Sequence, residues 1–482
     1  MTPAPLSHRS ELMRTLGAFR RTLGAVAALS FLINLLLLAP TLYMLQVFDR
    51  VLQSRSELTL LAVSLITLVL FVAMGIAEWL RSRWLVEAGL KFDQQLSSRV
   101  FNASFQAELD PARHTTRRPL RDLMDLRQFL TAGGIFAALD APWAPIYIAV
   151  TFFLHPLLGW LALVFVAVQV VVAWWNNARV SDTAEAVGAA ANESTHYVHA
   201  KLRNAETVQA MGMVDKLEHH WARRHLAWLN LNAHAQARGT RMAAWSKFVR
   251  YSQQSLSLAA GALLVIDGQL SPGAMIAANL LLARALAPVD QLVSAWPQFV
   301  SARSAFLRLD GLLNAFPAPR PSKPQNAARP DVIFRQVGLA VPGRPQSILQ
   351  SLNFEVEAGT VVGVLGPTGA GKSSLARVLL GLCTGVSGEV SIGGQRIVRG
   401  DHAYGGMQLG YLPQDLALFD GTIAENIARM GRVDATMVIA AARSTGLHEM
   451  ILRLPKGYDT PMGEAETLLS AGQRQRIGLG NV

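Results

Sequence analysis

Between residues 24 and 293 the chain alternates long apolar stretches with polar connections. A helix needs about 20 apolar residues to cross a hydrocarbon core of about 30 Å, and six stretches meet or approach that length. Gly24 to Tyr43 and Leu58 to Leu80 are uninterrupted. The third, about Ile135 to Leu154, holds Asp140, Pro142 and Pro145, which puts its start at an interface. Leu157 to Trp175 follows after only His155 and Pro156. Ser252 to Ile266 is short and extends back toward Ala243, and Pro272 to Val293 contains Arg284. The first stretch runs on into Tyr43 and Met44, so it predicts an uncleaved span rather than a signal peptide.

The connections fix an orientation. Arg9, Arg14, Arg20 and Arg21 precede the first span; many basic residues, Arg81 and Arg127 among them, separate the second from the third. Another basic set, from Arg179 to Arg241, separates the fourth from the fifth. The intervening connections carry only Arg50 and Arg55. By the positive-inside rule the N-terminus and both long connections are cytoplasmic, and an even number of spans returns the second half there. The long connections run about 55 and 65 residues with few Pro or Gly, which predicts spanning helices that extend well beyond the bilayer.

After Phe316 the pattern changes. Residues 317–330, PAPRPSKPQNAARP, have linker composition. Strand-like segments follow: DVIFRQV, then LNFEVEAG, then TVVGVLG, the last reading as a buried strand. The resulting divisions are a cytoplasmic segment 1–22, a membrane domain 23–315, a linker 316–330 and a nucleotide domain 331–482.

Composition supports the membrane reading. Of 482 residues, 51% are hydrophobic and 16% charged, against about a quarter charged in soluble domains. The net charge of +11 belongs with the cytoplasmic loops rather than with nucleic acid. Cys383 is the single cysteine, which excludes an internal disulfide framework.

The candidate chemistry lies at Gly366-Pro367-Thr368-Gly369-Ala370-Gly371-Lys372-Ser373, followed by the helical pattern SLARVLLGL, which begins at Ser374. Glycines let backbone N–H groups turn toward phosphate oxygens, Lys372 reaches the β- and γ-phosphates, and Ser373 offers a hydroxyl to Mg²⁺. Tyr411-Leu-Pro-Gln414-Asp415 lies about 40 residues on, and Leu469-Ser470-Ala471-Gly472-Gln473 about 55 beyond that. By itself the last segment reads as a helix start capped by Ser470.

Together these segments resemble the phosphate loop, Q-loop and signature motif of ABC ATPases. MLQVFDRVLQSRS, FAALDAPWAPIYIAVTFFLHPLLGW, NAETVQAMGM and LFDGTIAENIARMG resemble the type I secretion ATPase/permease family. The resemblance covers nearly the whole chain from about Glu11. It implies an exporter fold of six transmembrane helices joined to an α/β P-loop nucleotide-binding domain, in a multi-pass protein of the bacterial inner membrane. It implies ATP and Mg²⁺ as cofactors. Gln414 would contact Mg²⁺ and the attacking water, beside Ser373. Ser470, Ala471, Gly472 and Gln473 would hold the γ-phosphate bound to a partner subunit, which requires a homodimer.

The same resemblance implies a membrane fusion (adaptor) protein, a TolC-like outer-membrane channel and a secreted polypeptide with a C-terminal signal, with membrane lipid around the helices. The short N-terminus leaves no room for a peptidase-like domain and favours the protease and lipase exporters. NAETVQAMGM and RPLRDLMDLRQFL would sit near the ATPase domains, with Gly463 and Glu464 touching them across the dimer.

Two departures stand out. Val341 and Pro342 occupy the place of an adenine-stacking aromatic. After RIGLGNV the family continues to a Walker B Asp-Glu and a switch His that are not in the sequence, so a truncated ATPase domain without turnover is expected. A lipid or drug exporter of the same architecture, and an inactive membrane protein that only binds partners, remain alternatives. Within the spans, Arg284 could line a path near Asp290, Asn34 could pair helices across a dimer, and Asp140 reads as interfacial. The histidines read as solvated positions without metal spacing.

Overall fold

In a computed structural model of the protein, residues 11–109, 118–131, 133–202, 204–318, 331–340, 346–397, 409–414, 416, 418–462 and 469–480 are described. The chain divides into a helical unit, largely residues 1–318, and a second unit, largely 319–482.

The helical unit starts with α1 (Glu11–Ala18), α2 (Arg20–Leu36) and α3 (Ala39–Gln46). A π-helical turn, Val47–Val51, leads into α4 (Leu52–Ser54). The 52-residue α5 (Glu57–Glu108) follows, then α6 (Pro119–Thr131), α7 (Gly133–Asp140) and α8 (Ala144–Leu154). The last members are α9 (Pro156–Leu202), α10 (Ala205–Ala210), α11 (Val214–Ile266) and α12 (Pro272–Ala315). At about 1.5 Å per residue α5 is about 78 Å long, more than twice a hydrocarbon core. Helices therefore extend far beyond the bilayer, as the basic connections predict.

Among the described residues four helical stretches are long and apolar enough to cross a membrane: 20–54, 57–108, 119–154 and 272–315. The fourth predicted span falls on the shorter apolar stretch Pro156–Val172, at the start of α9. The fifth is the end of the largely polar α11. Leu58, Leu61 and Phe153 are among many large apolar side chains left exposed, the surface expected of a helix that meets lipid.

Many polar groups inside this unit pair with one another, although Arg81 Nε, Gln169 Oε1, Ser257 Oγ and Asn279 Oδ1 are buried without a hydrogen-bond partner among the described residues. The Arg81 guanidinium donates to both Asp140 carboxylate oxygens, at 3.2 and 3.4 Å, and to Ser30 Oγ at 3.1 Å. Asn34 Nδ2 donates to the same carboxylate at 2.7 Å, and Tyr147 donates to Asn34 Oδ1 at 3.0 Å. Phe136 lies 4.4 Å beneath the guanidinium. One ion pair and one amide thus join α2, α5, α7 and α8. Asn34 spends its amide within its own chain, which corrects the expectation of a bond across a dimer. Asp140, read as interfacial, is part of a largely shielded ion pair.

Arg284 is exposed, whereas Asp290 pairs with Arg250 at 3.5 Å and accepts a hydrogen bond from Gln169. The expected Arg284–Asp290 neighbourhood is replaced by a tie between α9, α11 and α12. A separate apolar core, including Leu12, Phe92, Leu96, Leu123, Leu309 and Leu313, binds α1, α5, α6 and α12. There Arg99 donates to the last carbonyls of α12, at Leu313 and Phe316, and pairs with Glu11. Those carbonyls have no intrahelical partner, so the guanidinium acts as a C-terminal cap. The described histidines form no metal-binding group.

In the second unit an antiparallel sheet has the order β2-β1-β3-β4: β1 Val332–Leu339, β2 Leu349–Val356, β3 Val386–Ile392 and β4 Gln395–Arg396. β1 pairs with β2 through Phe334↔Phe354 and with β3 through Phe334↔Val390. Residues 360–366, predicted as a buried strand, lie outside this sheet. Val361 and Leu365 are 100% and 95% exposed. The run is apolar, but a strand also needs a neighbour for its peptide groups, and no described segment pairs with this one. α13 (Lys372–Leu379) packs on the sheet through Val378 and Leu375, against Phe334 and Val390.

Removing one partner of a shielded ion pair leaves the other uncompensated, at a cost of about 3–5 kcal/mol. Arg81→Met should lower the melting temperature of the detergent-solubilised protein, read by fluorescence-detected gel filtration. Arg81→Met with Asp140→Leu should recover most of the loss. A single variant that melts with the wild type would show that the pair contributes no stability.

Candidate functional site: a phosphate loop and a capped helix start

The loop Gly366 to Ser373 sits between the exposed run and α13. Gly369 and Gly371 have φ of 87° and 90°, a left-handed region costly for other residues. Gly371 is also the N-cap of α13. A Cβ there would lie 3.1 Å from Leu349 Cδ2 and 3.4 Å from the Ile348 carbonyl oxygen. The glycine therefore lets the loop lie against the start of β2.

Lys372 Nζ donates to the carbonyls of Gly366 and Pro367 at 2.7 and 2.8 Å. The ammonium folds back over the loop, which places a full positive charge above it. Thr368 and Gly369 form the turn, and Ala370 N donates to Pro367 O at 3.2 Å. The first N–H groups of a helix have no acceptor within it, and they carry the positive end of the helix dipole. Ser373 is exposed and Ser374 half-buried in that first turn of α13. This donor set fits the phosphate chain of a nucleotide.

A second group of elements forms around β5 (Gly421–Thr422) and β6 (Pro461–Met462). Its helices are α14 (Ile423–Ile427), α15 (Ala435–Ser444), α16 (His448–Leu452) and α17 (Ala471–Gly480). Ile423, Ala442, Leu447, Ile451 and Ile477 make its core. At the start of α17, Gln473 N donates to Ser470 Oγ at 3.3 Å, and Ser470 N donates to Gln473 Oε1 at 2.8 Å. These reciprocal bonds are a capping box. The sequence Ser-Ala-Gly-Gln is thus a helix-start device whatever else it does. It leaves Ser470 and Gly472 exposed at the positive end of the helix; the Ala471 side chain lies outside the described residues.

α17 also lies against the segment that carries Gln414. A Cβ on Gly478 would collide with Leu416 and sit 3.1 Å from Leu412 Cδ1. Gln414 itself is exposed and makes no hydrogen bond among the described residues. No hydrogen bond among the described residues joins Gln414 or Ser470 to the phosphate loop. Asp415, Val341, Pro342, Gly463 and Glu464 lie outside the described residues.

Sequence reading missed the residues that hold this segment. Thr422 Oγ1 accepts from Glu425 N, and Glu425 Oε2 accepts from Thr422 N, a second capping box. The fully buried Asn426 accepts from Phe419 N at 2.9 Å and donates to Phe419 O and Thr422 O at 3.0 Å each. The signal was present in TIAEN, since Thr-x-x-Glu is a helix-start pattern.

Two family models match the chain: "ABC transporter transmembrane region" over residues 23–289 and "ABC transporter" over residues 349–482. The type I secretion system ATP-binding protein PrsD of Rhizobium meliloti (strain 1021) is 40% identical over 459 residues, covering 94% of this chain and 78% of that protein. The chain belongs to the type I secretion ABC transporters. The leukotoxin export ATP-binding protein LtxB of Aggregatibacter actinomycetemcomitans is 26% identical across 99% of the chain and 67% of its own length. For the cyclolysin secretion/processing ATP-binding protein CyaB of Bordetella pertussis (strain Tohama I) the identity is 28%, over 95% of the chain and 65% of that protein.

The chain therefore spans about two thirds of the length of these two relatives. A bacterial Atm1-family ABC exporter solved with ATP bound superposes with a TM-score of 0.79, covering 96% of this chain and 84% of that one. At 22% identity this likeness establishes the exporter fold alone. The type I secretion transporter is a multi-pass membrane protein with a nucleotide-binding domain.

Asn426→Ala should leave the Phe419 N–H and carbonyl without their partner, at a cost of about 1–3 kcal/mol. Limited proteolysis should then cut between Gln414 and Thr422 sooner than in the wild type. Unchanged proteolysis there would remove Asn426 from this role.

Proposed function

We propose that this transporter binds ATP with Mg²⁺ and belongs, as a homodimer, to an ATP-driven route that exports polypeptides across the bacterial inner membrane. The observation that carries the proposal is the Lys372 phosphate loop, held on the same chain as the exporter membrane domain. In this reading residues 23–315 form the membrane domain and residues 331–482 the nucleotide domain, joined by the linker 316–330. The N-terminus and nucleotide domain lie in the cytoplasm. An adaptor protein and a TolC-like outer-membrane channel complete the route. The substrate is a secreted polypeptide with a C-terminal signal. The names of PrsD, LtxB and CyaB, all secretion or export proteins, support this reading over a lipid or drug exporter.

Each residue then has a physical task. Backbone N–H groups from Gly366 through Ser374 receive phosphate oxygens at the start of α13. Lys372 exchanges its two carbonyl acceptors for the β- and γ-phosphates; a charged acceptor is the stronger partner. Ser373 and Gln414 would hold Mg²⁺, an oxygen-seeking cation to which a hydroxyl and an amide carbonyl are suited. Bound there, Mg²⁺ neutralises charge on the phosphates. Ser470 would offer the second subunit's nucleotide its hydroxyl and Ala471 and Gly472 their N–H groups at a helix N-terminus, with Gln473 holding Ser470 in the capping box. Because each chain carries one loop and one such helix start, two chains make two composite sites.

A fluorescent ATP analogue should bind the purified chain in nanodiscs, and Lys372→Ala should weaken it by about ten- to a hundredfold, the value of a charge-assisted contact. Ser470→Ala should leave that single-chain binding in place and reduce ATP-dependent cross-linking of two chains. A fluorescent unfolded polypeptide bearing a C-terminal signal should bind the same preparation, and a fluorescent phospholipid analogue should not compete with it. Equal ATP binding by wild type and Lys372→Ala would overturn the nucleotide assignment. Competition by the lipid would favour the lipid-exporter alternative.

A further inference from the structure

The helical unit contains a cavity of about 660 Å³ between the start of α6, the last third of α9 and the far half of α12. Its size falls within the range of about 300–1,000 Å³ typical of ligand sites. Three features separate it from an ordinary gap between helices.

Its wall is charged, and the charges are unequally spent. Asp122 is buried and takes two hydrogen bonds from Arg308, at 2.6 and 3.1 Å. That pair joins α6 to α12 and is satisfied. Arg118 and Arg121 also line the cavity, yet neither makes an ion pair among the described residues. Asp125, four residues beyond Arg121, lines it as well, so the unpaired side chains leave an excess of one positive charge. The start of α6, the positive end of its helix dipole, lies on the same side.

The sides contributed by α9 and α12 are rich in hydrogen-bonding groups and also carry His196 and the paired Arg308. Asn192 and Thr195 come from α9, and Ser301 and Ser304 from α12. Such side chains suit peptide groups, which each offer a donor and an acceptor. Two guanidiniums on one wall suit planar carboxylates, which they can grip with paired bonds.

We propose that this cavity receives an extended polypeptide segment carrying acidic side chains, with Arg118 and Arg121 as its carboxylate contacts. The inference rests on the polypeptide-export reading and adds to it a charge preference and a place. The polar wall holds the segment's backbone, which any sequence possesses. The arginine wall sorts segments by charge and prefers those rich in aspartate or glutamate.

The test uses the full chain in nanodiscs and two rhodamine-labelled peptides, identical except that the glutamates of one are glutamines in the other. The wild type should bind the glutamate peptide at least about tenfold more tightly than the glutamine peptide. R118Q with R121Q should abolish that difference and leave the glutamine peptide unaffected, whereas R118K with R121K should keep most of it. Added NaCl should narrow the difference by screening. Gel filtration and binding of the fluorescent ATP analogue, unchanged in the variants, report that the chain is folded.

Equal binding of the two peptides to the wild type would overturn the charge preference while leaving export of polypeptides intact. A preference that survives R118Q with R121Q would overturn the assignment to this cavity. Displacement of the glutamate peptide by inorganic phosphate at comparable concentration would overturn it in favour of a free-anion site. Failure of either peptide to bind an ATP-competent chain would overturn this inference and the export reading together.

Discussion

In hydrocarbon no water is available to an unpaired peptide group, and each one left unsatisfied costs several kcal/mol. This constraint governs the helical unit. It is met in long helices such as α5, α9, α11 and α12, whose backbones bond internally over 44 to 53 residues. Much of what remains polar finds partners between helices: Arg81 with Asp140 and Ser30, Asn34 with Asp140 and Tyr147, Asp290 with Gln169 and Arg250; Ser257 Oγ and Asn279 Oδ1 are buried exceptions among the described residues. Where a helix ends near other helices, as α12 does at Phe316, Arg99 supplies the missing donors. The helical unit is therefore organised by polar satisfaction as much as by apolar contact.

The second unit obeys water's rules instead. Its glycines bend a loop that an all-Cβ chain could not follow, and its helix starts are closed by side chains in capping boxes at Thr422 and Ser470. The two devices share one outcome. Each leaves a helix N-terminus, at α13 and at α17, facing outward with backbone N–H groups unspent, which is the arrangement that attracts anions.

Much of this was legible in the residues. Apolar runs and basic connections located the spans, because length and charge carry that information directly. The bend of the loop before α13 was legible because glycine spacing encodes a backbone shape, here with positive φ at Gly369 and Gly371. Partners were less legible. The amide of Asn34 pointed to a bond between helices, but nothing in its neighbourhood on the chain showed that Asp140, 106 residues away, was the partner. The run Val361 to Leu365 looked like a strand since apolar pattern reports a preference for burial and not the neighbour that provides it. Asn426 escaped notice because its value lies in three backbone bonds that only the folded turn creates.

The turn after the first span shows how such pairings bind distant parts of a chain. Within the π-helical turn Asp49 Oδ1 accepts from Gly273 N at 2.8 Å, and Asp49 Oδ2 accepts from the Ser271 hydroxyl at 2.5 Å. That hydroxyl also caps α12 by accepting from Ala274 N at 3.1 Å. Any Cβ on residue 273 would come within 2.6 Å of the Asp49 carboxyl carbon, so even alanine there would push the carboxylate off the helix start. Two positions more than two hundred residues apart thus form one heritable unit. A side chain at residue 273 and the Asp49 carboxylate in its present place exclude each other.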